Sequence, residues 1–237
     1  MSGAPPVAIG TSGYSYKEWK PSFYPKELKP AQMLSFYGER FPTVEINNTF
    51  YQMPKAETLE AQAAQVPAAF SFAFKAPGRI THQKRLKDVG EPVQHLWDTV
   101  AVLGARLGPV LYGLPPNMKQ DVGRLAAVLA MTPPGRRVAV EFRHESWFDD
   151  ETYGVLRAAG AALCIADAED FSVPFVSTAP WGYLRLRKVH YDEAALAAWA
   201  EKLRTSGWSD AVVYFKHEDT GSAPVLAQGL RQALAPR

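Results

Sequence analysis

Hydrophobic and polar residues alternate along the chain in eight short segments. Each segment is rich in β-branched or aromatic residues and is bounded by Gly, Pro or polar residues, a pattern typical of β-strands. The predicted strands lie at residues 7–12, 43–47, 70–76, 109–114, 137–143, 162–167, 182–187 and 211–217.

Helical periodicity fills most of the intervals between these strands. In residues 92–107, Leu96, Val100, Leu103 and Leu107 recur at spacings of three and four, which indicates a helix. The other predicted helices lie at residues 28–40, 55–65, 120–130, 149–159, 192–205 and 223–235. Residues 168–180 contain two prolines and no such pattern, so we expect a short or irregular crossover between strands six and seven.

The regular alternation of strand and helix predicts a parallel sheet, because helices are the usual crossovers between parallel strands. An open, doubly wound sheet of the Rossmann type would need a Gly-rich turn after its first strand. The chain has SGYSYKEW at residues 12–19 instead, and this stretch contains no nucleotide-cofactor motif. Eight similar units therefore favour a TIM (β/α)8 barrel, with residues 1–237 as a single domain.

Composition narrows the possible classes further. Charged residues make up 21% of the 237 residues and the net charge is +2, which argues against disorder and against a general nucleic-acid or membrane-surface binder. Cys164, the only cysteine, lies in an apolar run and is expected to be a small core residue. The N-terminus lacks the features of a signal peptide and no apolar run is long enough for a membrane span, so we expect a cytoplasmic protein.

Charged residues sit late in several predicted strands. Phe70, Phe72 and Phe74 share one face of strand three, so Lys75 is expected to point into the barrel. The same alternation turns Glu45, Asn47, Glu141 and Arg143 inward. Asp167 ends strand six, and Arg185, Arg187 and Lys216 lie late in the last two strands. Barrel enzymes assemble their sites at this C-terminal end.

Positive charge exceeds negative charge at the predicted rim. Five cationic side chains face the three acids Glu45, Glu141 and Asp167. This excess favours a small anionic or phosphorylated ligand, since Arg recognises phosphate and carboxylate groups well. A helix that begins after Thr220-Gly221-Ser222 is a further candidate anion site. The alternative is a structural network in which these charges only neutralise one another.

Aromatic and imidazole side chains are the remaining candidates for the rim. Tyr14, Tyr51 and Trp147 lie in the loops after strands one, two and five, where they could stack on a ligand. The alternatives are that the first loop packs its aromatic residues on the first helix and that Trp147 anchors the next helix. His82 belongs to the basic run ITHQKRLKD at residues 80–88, which is either a solvated surface or part of an anion-binding rim.

A divalent metal is an alternative that the sequence favours less. A site for Mn²⁺, Mg²⁺ or Zn²⁺ would need Glu45, Glu141, Asp167 and His217 from distant strands, and the many nearby Lys and Arg residues argue against it. The chain contains no GxSxG, P-loop, SxxK or CxxC motif. The cofactor, if there is one, is not predicted, and neither is the oligomeric state.

Five stretches resemble the signature blocks of the YecE-like family, a group of domains of unknown function. They read IGTSGYSYKEWKPSFYP, VEINNTFYQMP, FKAPGRITHQKRLKD, LPP and VAVEFRHESW. The matching positions are Gly10, Ser12, Gly13, Tyr14, Trp19, Glu45, Asn47, Thr49, Phe50, Tyr51, Lys75, Thr81, His82, Glu141, Arg143, Trp147 and Asp167. The resemblance implies a TIM barrel and supplies no reaction.

The chain departs from the family pattern at the predicted rim. Gly113 stands where Gln is common, Arg187 where His is common, and Lys216-His217 where Asn-Asn is common. These differences make the rim more cationic, so a ligand cannot be carried over from other members of the family.

These observations lead to a hypothesis of an enzyme-like barrel that binds a small anion. The candidate catalytic residues are Glu45, Lys75, Glu141 and Asp167, with the two Glu as general acid and base and Lys75 as oxyanion holder, base or Schiff-base nucleophile. The candidate ligand-binding residues are Tyr14, Asn47, Tyr51, His82, Arg143, Trp147, Arg185, Arg187 and Lys216. Alternatives are a nucleic-acid processing or binding protein, a metal-dependent hydrolase or isomerase, and a barrel that binds its ligand without turnover.

Overall fold

Eight parallel strands close into a barrel in which each strand pairs with the next and β8 pairs with β1. The computed structural model describes residues 5–171, 173–216 and 221–235. The strands are β1 (Val7–Ser12), β2 (Thr43–Ile46), β3 (Ser71–Lys75), β4 (Leu107–Gly113), β5 (Val138–Glu141), β6 (Ala162–Asp167), β7 (Trp181–Leu186) and β8 (Asp210–Phe215). The predicted TIM barrel is confirmed, and each predicted strand corresponds to one of these.

The helices of the described residues form the outer layer. They are α1 (Met33–Gly38), α2 (Ala56–Ala63), α3 (Gly90–Val100), α4 (Val122–Leu129), α5 (Asp150–Ala158), α6 (Glu193–Arg204) and α7 (Ala223–Leu234). None of the helices in this part of the chain is long and apolar enough to cross a membrane.

Local sequence explains where several helices begin and end. The carboxylates of Asp121, Asp149 and Asp192 accept hydrogen bonds from backbone amides three residues later and so cap α4, α5 and α6. Helix α3 ends earlier than predicted because Gly104 adopts a positive φ of 54°, which breaks the helical path within the 3₁₀ segment Ala101–Arg106.

The connection between β6 and β7 is irregular, as predicted. Residues 168–171 and 173–180 form neither helix nor strand. Thr178 fastens the end of this connection to the barrel, because its hydroxyl donates to the Ala161 carbonyl and accepts from the Leu163 amide, each at 2.8 Å.

Two hydrophobic layers hold the barrel. The larger layer lies between strands and helices and includes Phe70, Phe72 and Phe74, as the alternation predicts. The smaller layer fills the barrel interior with Ala and Cys164 together with larger aromatic residues such as Tyr183 and Tyr214. Above this apolar interior, at the C-terminal ends of the strands, the inward positions become charged.

Candidate functional site

Glu141 lies at the centre of the C-terminal face, pointing inward from the end of β5 with no exposed side-chain surface. Its Oε2 accepts from Arg185 Nη1 at 2.6 Å, and its Oε1 accepts from Arg187 Nη1 at 2.9 Å and from Arg143 Nη2 at 3.2 Å. Three guanidinium groups therefore surround one buried carboxylate.

Glu45 is the second buried carboxylate of this site. Arg185 Nη2 donates to Glu45 Oε1 at 3.0 Å, so Arg185 bridges the two acids. Tyr183 donates to Oε2 at 2.6 Å, while Ser12 and the Asn47 amide donate to Oε1. Alternation along β7 places Tyr183 and Arg185 on the same inward face, and Ser12 pairs in register with Glu45.

The charges in this network are stable at neutral pH. Burial raises the pKa of Glu141, but Arg185, Arg143 and Arg187 outweigh burial and lower it to about 2. In Glu45, Arg185 and the donors Ser12 and Tyr183 likewise overcome burial and lower the pKa. Burial alone would lower the pKa of Arg185, but both carboxylates together raise it. All three groups are therefore ionised near pH 7.

Lys75 ends β3 and also points inward. Its Nζ lies 4.3 Å from the centre of the Phe50 ring. The Nζ atom forms no hydrogen bond or ion pair with any residue that the structure describes, although the Lys75 backbone carbonyl accepts from the Thr49 hydroxyl at 2.6 Å. Burial and then Arg185 lower its pKa to about 8, although Glu141 acts in the opposite direction. Lys75 is thus a poorly solvated amine beside the buried arginines and carboxylates of the network.

Gly113 at the end of β4 leaves room for Lys75 and Glu141. A Cβ at this position would lie 3.3 Å from Glu141 Oε2, tighter than most Cβ contacts, and 3.4 Å from Lys75 Cε, an ordinary van der Waals contact. The side chains of Lys75 and Glu141 therefore both approach the Cα atom of Gly113 at the C-terminal end of β4, where the absence of a Cβ gives them room.

His82 approaches the same site from a π-helical turn, Arg79–Gln83. Its ring packs edge-to-face on Phe50 with centroids 4.8 Å apart, and its Nδ1 is 2.9 Å from the Thr81 hydroxyl. Burial, Lys75 and Arg143 lower its pKa, so the imidazole is neutral at pH 7. The sequence indicated His82 but not this turn, since a single π-turn has no periodicity. Phe50, which contacts both Lys75 and His82, is not among the predicted site residues, although it is one of the positions that match the YecE-like family.

Two cavities open beside the network. The first, of about 180 Å³, is lined by Glu141, Arg143, Ala166, Asp170, Phe171 and Arg187. The second, of about 300 Å³, lies between the loops after β1 and β2 and helix α2, and is lined by Tyr14, Tyr16, Asn47, Asn48, Gln52 and Gln62 among others. Arg143 and Arg187 thus line the charged cavity, while Tyr14 and Asn47 line a largely uncharged one.

A family model of a "Protein of unknown function DUF72" matches residues 8–237, nearly the whole chain. The chain belongs to the DUF72 family. Curated relatives include the UPF0759 protein YecE of Escherichia coli K12, 30% identical over 48% of this chain and 43% of YecE. The UPF0759 protein YunF of Bacillus subtilis 168 is 26% identical over 72% of this chain and 64% of YunF. The chain therefore spans less than two thirds of these relatives.

Solved DUF72 structures share the barrel. A DUF72 family protein of Thermotoga maritima MSB8, TM1631, superposes with a TM-score of 0.84 at 28% identity, covering 97% of this chain and 99% of that one. A DUF72 protein of Enterococcus faecalis V583 gives a TM-score of 0.81 at 18% identity over 96% and 95% of the two chains, a likeness of fold alone.

Asp167 does not join the charged site of this DUF72 barrel, so its predicted catalytic placement is wrong. Its carboxylate accepts from Tyr191 at 3.0 Å and from Trp199 Nε1 at 3.3 Å, and Lys188 lies 3.0 Å away. Cys164 points into the barrel, and Asp167, three positions further along β6, faces the helix layer. The prediction relied on the strand end and ignored the alternation.

Trp147 is also misplaced by the sequence prediction, because it is fully buried and cannot cap a ligand. Its indole Nε1 donates to the Met118 carbonyl at 2.8 Å, and its ring stacks on Phe142 with centroids 4.6 Å apart. Tyr51, in contrast, is 87% exposed beside Phe50, and its ligand role stays a prediction. So does that of Lys216, whose backbone amide donates to the Leu186 carbonyl.

The proposed metal ligands are not assembled into one group. Asp167 faces away from Glu45 and Glu141, and His217 lies outside the described residues, as does Thr220 of the candidate anion site. Within the described parts of the chain, no three His, Cys, Asp or Glu side chains form a group that could hold a metal ion.

Proposed function

We propose that this DUF72 barrel binds a small carboxylate or phosphate at its C-terminal face and acts on it with Lys75. One observation supports the proposal most directly. Glu141 is enclosed by three guanidinium groups, one of which also serves Glu45. With Lys75, four cations meet the two buried acids. Asp167 faces the helices and does not reduce this excess, whereas Asp170 lines the cavity and reduces it to one positive charge. A surplus of buried positive charge is stabilised by an anion.

The three arginines have different environments. Arg185 is 2% exposed and uses both amino groups to bridge the acids, which suits a structural role. Arg143 and Arg187 are 30% and 26% exposed and line the 180 Å³ cavity. Among the described residues, neither Arg143 Nη1 nor Arg187 Nη2 has a hydrogen-bond partner. These two amino groups are the donors we assign to the anion.

The acid–base roles first considered for Glu45 and Glu141 fit this environment poorly. A carboxylate whose pKa is about 2 is a weak base, and it carries no proton to donate at neutral pH. We assign both carboxylates to positioning the arginines. Lys75, whose pKa is about 8, is the group of this site that can exchange a proton near neutrality.

Isothermal titration with inorganic phosphate and with oxalate tests the anion site. Wild-type protein should bind at least one of them saturably, and Arg143→Gln and Arg187→Gln should each weaken binding about tenfold or more, as expected for a charge-assisted hydrogen bond. Arg157→Gln, an exposed arginine on α5, is the matched control and should bind like wild type. Absence of saturable binding, or equal affinity in all variants, would reject the proposal.

The second cavity favours one other candidate, a protein that binds single-stranded nucleic acid. Tyr14 and Tyr16 offer aromatic rings and Asn47 and Asn48 offer amides in a space of about 300 Å³ beside the cationic site. A labelled single-stranded oligonucleotide should then bind with an affinity that falls as salt rises, and Tyr14→Ala should weaken it. Binding that is insensitive to both changes would exclude this candidate.

A further inference from the structure

We infer that Lys75 forms a Schiff base with the carbonyl carbon of a small anionic aldehyde or ketone, such as a 2-oxo acid or a phosphorylated ketone. The inference rests on the proposed anion site and names the class of ligand that this site takes. It also assigns to Lys75 a covalent role beyond holding charge.

The placement of Lys75 is the first argument. An amine attacks a carbonyl only if its nitrogen is accessible and is not already held by a carboxylate. Lys75 Nζ lies over the Phe50 ring and has no hydrogen-bonding or ion-pairing partner among the described residues. The two nearby carboxylates are occupied elsewhere, Glu141 by three arginines and Glu45 by Arg185, Tyr183, Ser12 and Asn47.

The surroundings also favour the neutral amine. Burial and the positive charges of Arg185 and Arg143 disfavour the ammonium, and Glu141 and Glu45 only partly compensate, so the pKa falls to about 8. On the order of a tenth of the Lys75 side chains would then be neutral at pH 7. Desolvation and neighbouring cations are the two means by which proteins activate a lysine as a nucleophile.

The anion donors and the amine meet around Glu141. Arg187 and Arg143 contact its carboxylate, and Gly113 marks the point where Glu141 Oε2 and Lys75 Cε approach each other. Lys75 is not among the residues that line the 180 Å³ cavity, so a ligand whose anionic group lies between these arginines must extend past Glu141 toward Gly113 to bring a carbonyl carbon to the Lys75 amine. A cavity of about 180 Å³ suits a molecule of a few carbon atoms rather than a large one.

The reaction needs no oxidant or further reactant. The lone pair of neutral Lys75 Nζ forms a bond to the carbonyl carbon, and the carbonyl π electrons move to oxygen. The oxygen takes up a proton and the nitrogen releases one, which gives a neutral carbinolamine. The resulting carbinolamine loses its hydroxyl group, with one more proton, as water, and the nitrogen lone pair closes the C=N bond. His82 packs on the same Phe50 ring as Lys75, and its neutral imidazole is a nearby group that can accept the proton released by the nitrogen.

Reductive trapping tests the inference on the intact protein. Wild-type protein is incubated with cyanoborohydride and either pyruvate or dihydroxyacetone phosphate, with acetone as the uncharged carbonyl, and is then digested and analysed by mass spectrometry. We expect one modified peptide, with Lys75 heavier by the mass of the probe less one oxygen atom. Labelling by acetone should be at least tenfold weaker.

Two variants and one competing anion distinguish failure of the Schiff-base inference from failure of the proposed anion site. Lys75→Arg keeps the charge but cannot form the imine and should lose labelling, whereas Lys87→Arg, on an exposed lysine of the same loop region, should label like wild type. Inorganic phosphate should compete with labelling of the wild-type protein. Phosphate or oxalate binding without any Lys75 adduct would overturn the Schiff base and leave the anion site intact. Labelling that is spread over many lysines, or that persists in Lys75→Arg, would also overturn it.

Discussion

Arg185 of β7 lies 2.6 Å from Glu141 of β5, and both side chains are buried at the top of the barrel. The two strands are not neighbours, since β6 lies between them, so this ion pair spans the barrel interior. It joins the fold to the candidate site, because the contact that holds the strand ends together also fixes the arginines around the cavity.

Loss of the Glu141 charge should destabilise the protein strongly. Glu141→Gln leaves three guanidinium groups around a neutral amide, and removal of one partner from a buried ion pair typically costs about 3–5 kcal/mol. Urea unfolding measures the change. Glu145→Gln removes the same charge at an exposed position four residues later and should change stability by less than about 0.5 kcal/mol. Equal stability of the two variants would contradict the network.

Acid should remove the same stabilisation selectively. The pKa of Glu141 is about 2 in the folded protein against an ordinary value of 4.5, so its contribution is complete above about pH 5 and declines as the pH falls toward 2. The difference in unfolding free energy between wild type and Glu141→Gln should therefore shrink by about 3 kcal/mol over this range. Urea titrations at several pH values measure it, and a constant difference would argue against a lowered pKa.

The charge of Lys75, unlike that of Glu141, should destabilise the folded protein at neutral pH. Its folded pKa of about 8 lies below the ordinary 10.5, so the unfolded chain binds more protons between these values and stability from this group rises with pH. Lys75→Met should be more stable than wild type at pH 7, by about 1–2 kcal/mol after allowance for solvent screening. The difference in unfolding free energy between Lys75→Met and wild type should become smaller toward pH 10. Urea unfolding curves at pH 7 and pH 10 measure this difference, and a Lys75→Met variant that is less stable than wild type at pH 7 would refute the prediction.

A methyl group at Gly113 should disturb the site. Gly113→Ala places a Cβ 3.3 Å from Glu141 Oε2 and 3.4 Å from Lys75 Cε, so the Glu141 carboxylate, which three arginines hold in place, must shift by a few tenths of an ångström. We expect a loss of about 1–3 kcal/mol in stability together with weaker phosphate binding. Gly154→Ala in α5, where an added Cβ meets nothing within 4 Å, should instead stabilise by about 0.5–1 kcal/mol. If Gly113→Ala stabilises the protein as Gly154→Ala does, a Cβ at position 113 is not in close contact with Glu141.

Trp147 should matter for stability and not for anion binding. Trp147→Phe removes the donor to the Met118 carbonyl, and an unpaired buried acceptor costs about 1–3 kcal/mol. Phosphate affinity should stay within about twofold of wild type in the same titration, because Trp147 does not line the charged cavity. Tyr51→Ala, at an exposed aromatic, should leave thermal stability nearly unchanged. A large loss of affinity in Trp147→Phe would restore its role as a cap.

The sequence could predict the barrel because its signals are periodic. Alternation with period two identifies the strands and also turns Glu45, Lys75 and Glu141 toward the interior. The structure brings these three together with Arg185, which the sequence places only late in strand seven. Alternation also separates Asp167 from them, and only the emphasis on strand ends obscured this.

Features without periodicity could not be predicted. The orientation of Trp147 depends on its stack with Phe142 of the same segment and on its hydrogen bond to the Met118 carbonyl, in the connection between β4 and α4. Nothing in the local sequence reveals that Phe50 lies between Lys75 and His82, since these residues come from different strands and loops. Such contacts follow only from the closed barrel.

The crossover between β6 and β7 has a consequence for how this site can diversify. Asp170 and Phe171 form one wall of the charged cavity, and they lie in an irregular segment that Thr178 anchors at its far end. Replacement of these wall residues leaves the strand ladder and the arginine cluster untouched. If the proposed anion binds here, its selectivity can therefore change through substitutions in this wall while the buried arginines and carboxylates stay the same.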